Sequence, residues 1–356
     1  MSTIINSEES GPVDTTQAGT ASHTRALYDT GAKLFTKYTM AWVANELRLC
    51  EEDMSSGLER RIATLPRIDG SFKELDISLV PPTPSHDKER PGDSHCVIDY
   101  VGIERLAYDG DNEDLQCTDP YFPMTIEVTT RTNPDGGANE HDNDHDKNKH
   151  VSSVDGLCGV FSGIRRVWIR REFCNELRAV LNAVKPPAVL NKIFGVALGS
   201  LCAGTKLQHR AIYQHALIPT IQSILLQRRV VSVSCKRYVQ DPAYTQRDKD
   251  VLSHQGLEVL DDPHAFLALD GSSVLVSICP TISVKQIVAD ICRPGIIIWA
   301  RFPYQLMDDD RTFFLADEEP SRVTEMLEND YCEFDFPYHE YIEAPFGIAI
   351  YVRKGA

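Results

Sequence analysis

Residues 192–218, KIFGVALGSLCAGTKLQHRAIYQHALI, combine a short apolar run, a turn rich in glycine and serine, and a helical pattern. The run from Ile193 to Leu198 has no polar alternation, which is typical of a parallel strand covered on both faces. Residues on one helix face then follow at three- and four-residue steps: Leu207, Ala211, His215 and Ile218. Backbone N–H groups at the start of such a helix bind anions. We therefore expect the turn to form one wall of any small-molecule site.

Alternating strands and helices are predicted after this stretch. Helices are expected at 205–227, from Thr245 towards Gly256, and at 283–291, and strands at 230–235, 257–260, 272–279 and 295–300. Thr245 and Asp248 have the spacing of a capping box, and Gly256 suits a helix end. This alternation predicts an α/β fold of Rossmann-like type, with a mostly parallel sheet and helices on both faces.

Five parts of the chain are predicted from composition and pattern. They are a disordered tail (1–22), an N-terminal α+β extension (23–132), a disordered acidic insertion rich in histidine (133–150), the Rossmann-like core (151–305) and an acidic C-terminal segment packed on the core (306–356). Within them we expect a turn at 29–31 between two helices, strands within 95–106 and 121–130, one helix over 160–184, a helix at 321–328, and an antiparallel edge strand at 346–354.

Composition and sequence pattern argue against several classes of protein. The 356 residues have a formal net charge of −16, which argues against a general nucleic-acid binder. No run is long and apolar enough to span a bilayer, and the N-terminus lacks the pattern of a secretory signal. The ten cysteines form no CxxC pair, so we expect reduced thiols in the cytoplasm or nucleus.

The insertion 133–150 is the one segment that raises the question of a metal. His141, His145 and His150 lie among three aspartates there. Nothing apolar in the segment would hold these ligands in a fixed geometry, so we predict no metal site.

Several motifs together resemble a known family. GVALGSL, RAIYQHALI, QDPAYTQRDKDVLSHQGLEVL, SSVLVSICPTISVKQIVADI and PGIIIW are similar, in this order, to the sensitivity-to-red-light-reduced (SRR-like) domain. The resemblance is strongest from Lys192 to Trp299. The flanks, with ALYDTGAKLFTKYTM and a C-terminal AIYVRK, resemble the fungal-type members. Members of the plant and animal type carry a Pro-His-Cys-like motif where this chain has Cys279-Pro280, so no role of such a histidine transfers to this chain.

The resemblance implies a Rossmann-like fold and a link to regulation, and it settles no reaction and no cofactor. Two hypotheses follow from it. The first is a regulatory or adaptor protein whose core binds a small metabolite or a protein partner. The second is an enzyme of fungal specialised (secondary) metabolism with a pocket at the strand ends.

Candidate site residues follow from the rule that ligands bind beyond the carboxyl ends of parallel strands. Gly199 and Ser200 would let an anion or a ribose approach the backbone, although the glycines do not form GxGxxG, and a simple capped turn is the alternative. Asp241 would accept ribose hydroxyls or form an Asp-Pro turn. Tyr244 would stack on a ligand ring or cover the sheet.

Further candidates lie on the helix after the turn and at later strand ends. Arg210 is a ligand-binding candidate, whereas His215 falls on an apolar face and is expected to be a core residue. Cys279 would act as a nucleophile only beside a base, and is otherwise a structural thiol. Gln240, Asp262 and Arg301 also end strands. The enzyme hypothesis gains if Ser200, Asp241, Tyr244 and Cys279 line a single pocket.

Overall fold

The computed structural model describes residues 17–80, 94–109, 117, 119–130, 153–202, 205–302 and 316–355. The predicted insertion 133–150 and residues 1–16 of the predicted tail lie outside this part of the chain.

The N-terminal extension contains helices and two β-hairpins. Its elements are α1 (Gln17–Asp29), α2 (Lys37–Ser55), β1 (Arg60–Pro66), β2 (Phe72–Ser78), β3 (Ser94–Tyr100), α3 (Ile103–Leu106) and β4 (Met124–Thr130). The strands β1 and β2 pair antiparallel. So do β3 and β4, and this pair is called the β3–β4 hairpin below although α3 lies between its strands. The turn predicted at residues 29–31 separates α1 from α2, and Thr36 caps α2.

The following segment alternates helices and strands as the sequence predicts. Its elements are α4 (Val154–Trp168), α5 (Glu172–Ala183), β5 (Leu190–Val196), α6 (Thr205–Gln227), β6 (Val231–Gln240), α7 (Gln246–His254), β7 (Glu258–Val259), α8 (His264–Ala268), β8 (Ser273–Ser277), α9 (Val284–Ile291), β9 (Ile296–Ala300), α10 (Ser321–Asp330), β10 (Tyr331–Asp335) and β11 (Ile348–Arg353).

Seven strands form the central sheet in the order β10-β11-β9-β8-β5-β6-β7. The pairs among β7, β6, β5, β8 and β9 are parallel. The strands β10 and β11 continue the sheet antiparallel. Strand β5 is the first of the parallel set, and later strands add on both sides of it, so the chain order reverses between β5 and β8. The predicted Rossmann-like α/β fold is confirmed.

Two apolar cores cover the two faces of the sheet. Phe194, Leu275 and Trp299 face a core that includes α2, α9 and the two N-terminal hairpins. Ile193, Val274 and Ile298 face the other core, which includes α4 to α7. Neighbouring residues of each strand thus enter opposite cores, which explains why the strands have no polar alternation.

Two helix predictions differ from the structure. Helix α1 begins at Gln17, inside the segment 1–22 predicted as a disordered tail, because Ala21 and Thr24 are buried against the extension. The single helix predicted over 160–184 is two helices. The break brings the buried rings of Trp168 and Phe173 into edge contact, with centroids 4.6 Å apart.

The predicted last strand is antiparallel but does not form the sheet edge. Strand β10 pairs outside β11 and takes that position. Its sequence, YCEFD, is short and includes two acidic residues, and only Tyr331 is buried, so its apolar pattern is too weak to predict a strand. Short, charged strands are typical of sheet edges, where they oppose further pairing.

Candidate functional site

A crevice of about 970 Å³ lies at the carboxyl ends of the parallel strands, where the chain order reverses. Its floor is formed by the residues that follow β5, β6 and β8: Ala197 to Ser200, Asp241 to Ala243, and Ile278 with Cys279. Its opposite wall is the β3–β4 hairpin of the N-terminal extension. This is the position at which open α/β sheets bind ligands.

The backbone at the floor of the crevice adopts the left-handed conformation on both sides of the reversal point. Ala197, after β5, has a φ of 53°, and Cys279, after β8, has a φ of 51°. Non-glycine residues pay a conformational cost there, of order 1–3 kcal/mol, and such residues concentrate at functional sites. Gly199, with a φ of 82°, occupies the same region without that cost.

The carboxylate of Asp241 occupies the turn after β5. The backbone N–H of Gly199 donates to Asp241 Oδ2 at 2.7 Å, and the N–H of Ala243 donates to Oδ1 at 2.9 Å. Burial raises the pKa of Asp241, and these two N–H donors oppose that rise. Asp241 therefore stabilises the turn from within the protein.

The carboxylate of Asp248, on α7, binds the next part of the same turn. Its carboxylate accepts the N–H of Leu201 at 2.6 Å and the hydroxyl of Ser200 at 3.0 Å. It also completes the capping box of α7, since Thr245 N–H and Oγ1 both donate to Oδ2 at 2.7 Å. The predicted capping box is thus present, and its carboxylate also binds the turn 47 residues earlier in the chain.

The hairpin wall turns one face of each strand toward the crevice, and most side chains of that face are polar. His95, Val97 and Asp99 of β3 line the crevice, and so do Glu127 and Thr129 of β4. Cys96 and Tyr100 are buried on the other face, and Ile98, although largely buried, contributes to the crevice lining. The Nε2 atom of His95 lies 3.2 Å from the carbonyl oxygen of Pro242, which joins this wall to the floor.

Two carboxylates of the hairpin wall interact with each other. Burial raises the pKa of Asp99, and the nearby Arg105 opposes this rise. Burial also raises the pKa of Glu127, and the negative charge of Asp99 raises it further. Perturbed carboxyl groups in a cleft are a recognised mark of functional sites.

Arg210 of α6 lines the crevice, and its Nη2 and Nε atoms have protein partners. Its Nη2 donates to the carbonyl oxygen of Glu343 at 3.0 Å. The Gln214 amide is oriented so that its oxygen accepts from Arg210 Nε at 3.2 Å. Its nitrogen then donates to the carbonyl oxygen of Leu198. Arg210 therefore fixes the C-terminal segment against the crevice rim.

The structure brings together five of the six candidates for ligand binding. Gly199, Ser200, Arg210, Asp241 and Cys279 all line the crevice, and the Cys279 side chain is exposed there. Tyr244 lies elsewhere, with 1% of its surface exposed. Its hydroxyl donates to His215 Nε2 at 2.6 Å, while His215 Nδ1 donates to the carbonyl of Ala211 at 2.7 Å. Tyr244 thus packs in the core with His215, whose expected core position is observed.

The remaining strand-end residues also have structural contacts. Asp262 Oδ1 accepts hydrogen bonds from the Tyr100 hydroxyl at 2.7 Å and from Gln240 Nε2 at 2.8 Å. Burial raises the pKa of Asp262 to about 7. Arg301 forms ion pairs with Glu333 and Asp335 of β10, 2.7 Å from each.

His95, Asp99, Glu127 and Thr129 were not predicted as site residues. Their alternation with buried residues indicates a strand with one polar face. It does not indicate that this polar face is placed over the end of a sheet formed about a hundred residues later. Only the packing of the hairpin supplies that information.

Neither a metal cluster nor a membrane span is found among the described residues. Within those ranges, no group of three or more His, Cys, Asp or Glu side chains is arranged to hold a metal ion. No helix of the described ranges is long and apolar enough to cross a bilayer.

Comparison with known proteins identifies one domain. Residues 177–330 match the family model of the SRR1 domain, which supports the predicted SRR-like resemblance. No curated protein matches the chain. The matched segment runs from α5 to the end of α10 and so contains the floor of the crevice, whereas the β3–β4 hairpin lies outside it. The crevice therefore joins a segment similar to the SRR1 domain with a wall supplied by the N-terminal extension.

Proposed function

We propose that this chain is a regulatory or adaptor protein that binds a small metabolite in the crevice at the strand-order reversal. The observation that carries this proposal is the crevice itself, of about 970 Å³, enclosed between the sheet ends and the β3–β4 hairpin. Its volume lies at the upper end of the range of roughly 300–1,000 Å³ typical of small-molecule sites.

The mixed lining of the crevice supports a ligand that is partly apolar. Val97, Ile98, Leu198 and Ile278 contribute apolar surface beside the polar groups of the hairpin. A few polar groups among apolar ones orient a ligand in most small-molecule sites. A flat polar surface would instead favour a protein-only scaffold.

The two origins of the walls support a regulatory role. A molecule in the crevice would contact the hairpin and the SRR1-like segment at once. Because the hairpin is attached near this edge through Tyr100 and His95, ligand binding would strengthen its docking on the core. A partner protein that contacts the extension would then respond to the ligand.

The remaining details of this proposal come from the sequence. They are the fungal-type subfamily, a cytoplasmic or nuclear location, and a small-molecule or protein partner rather than nucleic acid. They belong to the proposal as expectations, and identification of the ligand is its first experimental step.

Thermal-shift screening of the full chain tests the proposal. The panel comprises S-adenosylmethionine, a polyamine, ATP, acetyl-CoA and a tetrapyrrole, and a bound member raises the melting temperature. Val97→Trp places an indole in the crevice and should abolish the shift. Val233→Trp, at a side chain that is 90% exposed on β6 outside the crevice lining, should leave the shift unchanged.

Circular dichroism of both variants establishes that they fold. No stabilisation by any member would count against a metabolite site of these classes. An equal shift in the Val97→Trp variant would place the ligand elsewhere on the molecule and overturn the assignment to the crevice.

An enzyme is the second candidate, and a specific observation favours it. Asp99 and Glu127, whose pKa values burial raises, share the crevice with the exposed thiol of Cys279. Carboxyl groups whose pKa values are raised by their surroundings serve as general acids and bases in many enzymes. Mass spectrometry of a stabilising ligand after incubation with the protein decides between the two roles. A product that the Glu127→Gln variant does not form supports the enzyme, and unchanged ligand supports the regulatory protein.

A further inference from the structure

We infer that the crevice selects an organic cation, such as an ammonium, guanidinium or sulfonium compound, over phosphorylated ligands. This inference rests on the proposed function and names the ligand class of the same site. Among the described residues that line the crevice, carboxylates outnumber guanidinium groups by three to one: Asp99, Glu127 and Asp241 against Arg210.

Three N–H groups of the turn that could bind an anion are already occupied. In dinucleotide-binding folds, free N–H groups of the first turn hold the phosphates. Here the N–H groups of Gly199 and Leu201 donate to Asp241 and Asp248, at 2.7 Å and 2.6 Å. The N–H of Cys202 donates to Ser200 Oγ at 3.0 Å. A phosphate at this turn would have to displace a carboxylate that is fixed by the fold.

Two nitrogens of the guanidinium in the crevice already have acceptors in the protein. Arg210 Nη2 donates to the carbonyl oxygen of Glu343, and Nε donates to the side-chain oxygen of Gln214. Moving Arg210 toward an anion would break both bonds. The charge of Arg210 partly offsets the carboxylates, but these contacts hold its side chain in place.

The carboxylates lie on opposite walls of the crevice. Asp241 belongs to the floor after β6, and Asp99 and Glu127 belong to the hairpin. Glu127 lies diagonally across the strand pair from Asp99 on the same face, and the negative charge of Asp99 raises the pKa of Glu127. A positive charge placed between the walls would reduce this repulsion and favour the charged form of both carboxylates.

The thiol of Cys279 provides a direct test of the potential in the crevice. A cationic methanethiosulfonate (the ethyltrimethylammonium reagent) and an anionic one (the ethylsulfonate) react with the same thiolate and release the same methanesulfinate. We expect the cationic reagent to modify Cys279 roughly tenfold faster than the anionic one, relative to the rate ratio for free glutathione. Mass spectrometry of the Cys279 peptide reports each rate.

Matched double variants assign this preference to the crevice. Asp99→Asn with Glu127→Gln should remove most of the preference. Asp76→Asn with Glu74→Gln removes the same charge from exposed positions of β2 and should leave it unchanged. Faster modification by the anionic reagent would overturn the inference. So would the same ratio of cationic to anionic modification rates in the two double variants.

A ligand comparison separates this inference from the proposed function. S-adenosylmethionine and S-adenosylhomocysteine differ by a methyl group and the positive charge on sulfur, and a polyamine and ATP extend the comparison. We expect stabilisation by the cationic members, lost in the Asp99→Asn/Glu127→Gln variant. Stabilisation by ATP or acetyl-CoA that Val97→Trp abolishes would retain the metabolite site and overturn its preference for cations. No stabilisation by any member would contradict both proposals.

Discussion

The Oδ2 atom of Asp241 lies 2.7 Å from the backbone nitrogen of Gly199, so a carboxylate from the end of β6 closes the turn after β5. In a dinucleotide-binding fold this turn would face a phosphate. Here the protein's own carboxylates accept the N–H groups of the turn, whose glycines do not form GxGxxG. The turn is a structural element of the crevice floor.

Replacing Asp241 by Ala is expected to lower the free energy of unfolding by roughly 1–3 kcal/mol, because the N–H groups of Gly199 and Ala243 lose their acceptor. Urea denaturation measures this change. Asp261→Ala, at an exposed carboxylate paired with Lys249, is the control and should cost less than about 1 kcal/mol. Equal losses would show that the Asp241 bonds contribute little.

Replacing Asp248 by Ala should cost more than replacing Asp241. The variant leaves Leu201 N–H without its acceptor, and it removes the capping box of α7 together with the bond from Ser200. The sum of a lost helix cap and a buried unpaired donor is roughly 2–4 kcal/mol. The control Thr245→Ala removes the cap hydroxyl but keeps the bonds to the turn, and should cost about 1 kcal/mol. A loss no larger than that of the control would contradict this prediction.

His215 is expected to make stability depend on acidity below neutral pH. Burial lowers its pKa from 6.5 to about 4. Between these values the unfolded chain binds the proton and the folded chain does not, so the contribution of His215 to stability falls as the pH falls. The loss is about 3 kcal/mol from pH 7 to pH 4. The difference in unfolding free energy between the wild type and His215→Gln should change by this amount. Parallel pH profiles would contradict the prediction.

Asp262 should produce the opposite dependence. Burial raises its pKa from 3.8 to about 7. The folded chain therefore holds a proton that the unfolded chain releases between about pH 4 and pH 7, and stability falls as the pH rises through this window. Asp262→Asn can keep the bonds from Tyr100 and Gln240 without the charge. At pH 8 the variant is expected to be more stable than the wild type by up to about 4 kcal/mol, with little difference at pH 4.

Unfolding measured across pH 4–8 checks the Asp262 prediction. Asp261→Asn, at the exposed neighbouring carboxylate, is the matched control, and its stability relative to the wild type should not change with pH in this way. A variant that is less stable than the wild type at pH 8 would show that the carboxylate is needed in its charged form.

The predicted elements and the observed ones agree best where the apolar pattern is continuous. Helix α6 begins and ends at the predicted residues, and β8 and β9 lie within the predicted runs. Agreement is weakest where tertiary contacts decide the boundary. The break between α4 and α5 depends on the packing of Trp168 against Phe173, and β10 becomes a strand only because β11 offers it an edge.

The candidate site was predicted in part. Gly199, Ser200, Asp241 and Cys279 converge because strand ends of a parallel sheet lie together, a rule that needs only the order of the elements. Tyr244 was placed by the same rule but points into the core toward His215. The direction of a loop side chain depends on packing that the rule does not contain.

The sequence by itself determined the parallel sheet, its helices and the turn after β5, because these follow from local periodicity and from the glycines and caps at their ends. Only the tertiary structure decided what the turn and the crevice can bind. The acceptors of the turn come from Asp241 and Asp248, more than 40 residues away, and the opposite wall comes from Asp99 and Glu127 of a separate hairpin. Charge in a cavity is the sum over everything that surrounds it, and no local pattern contains that sum.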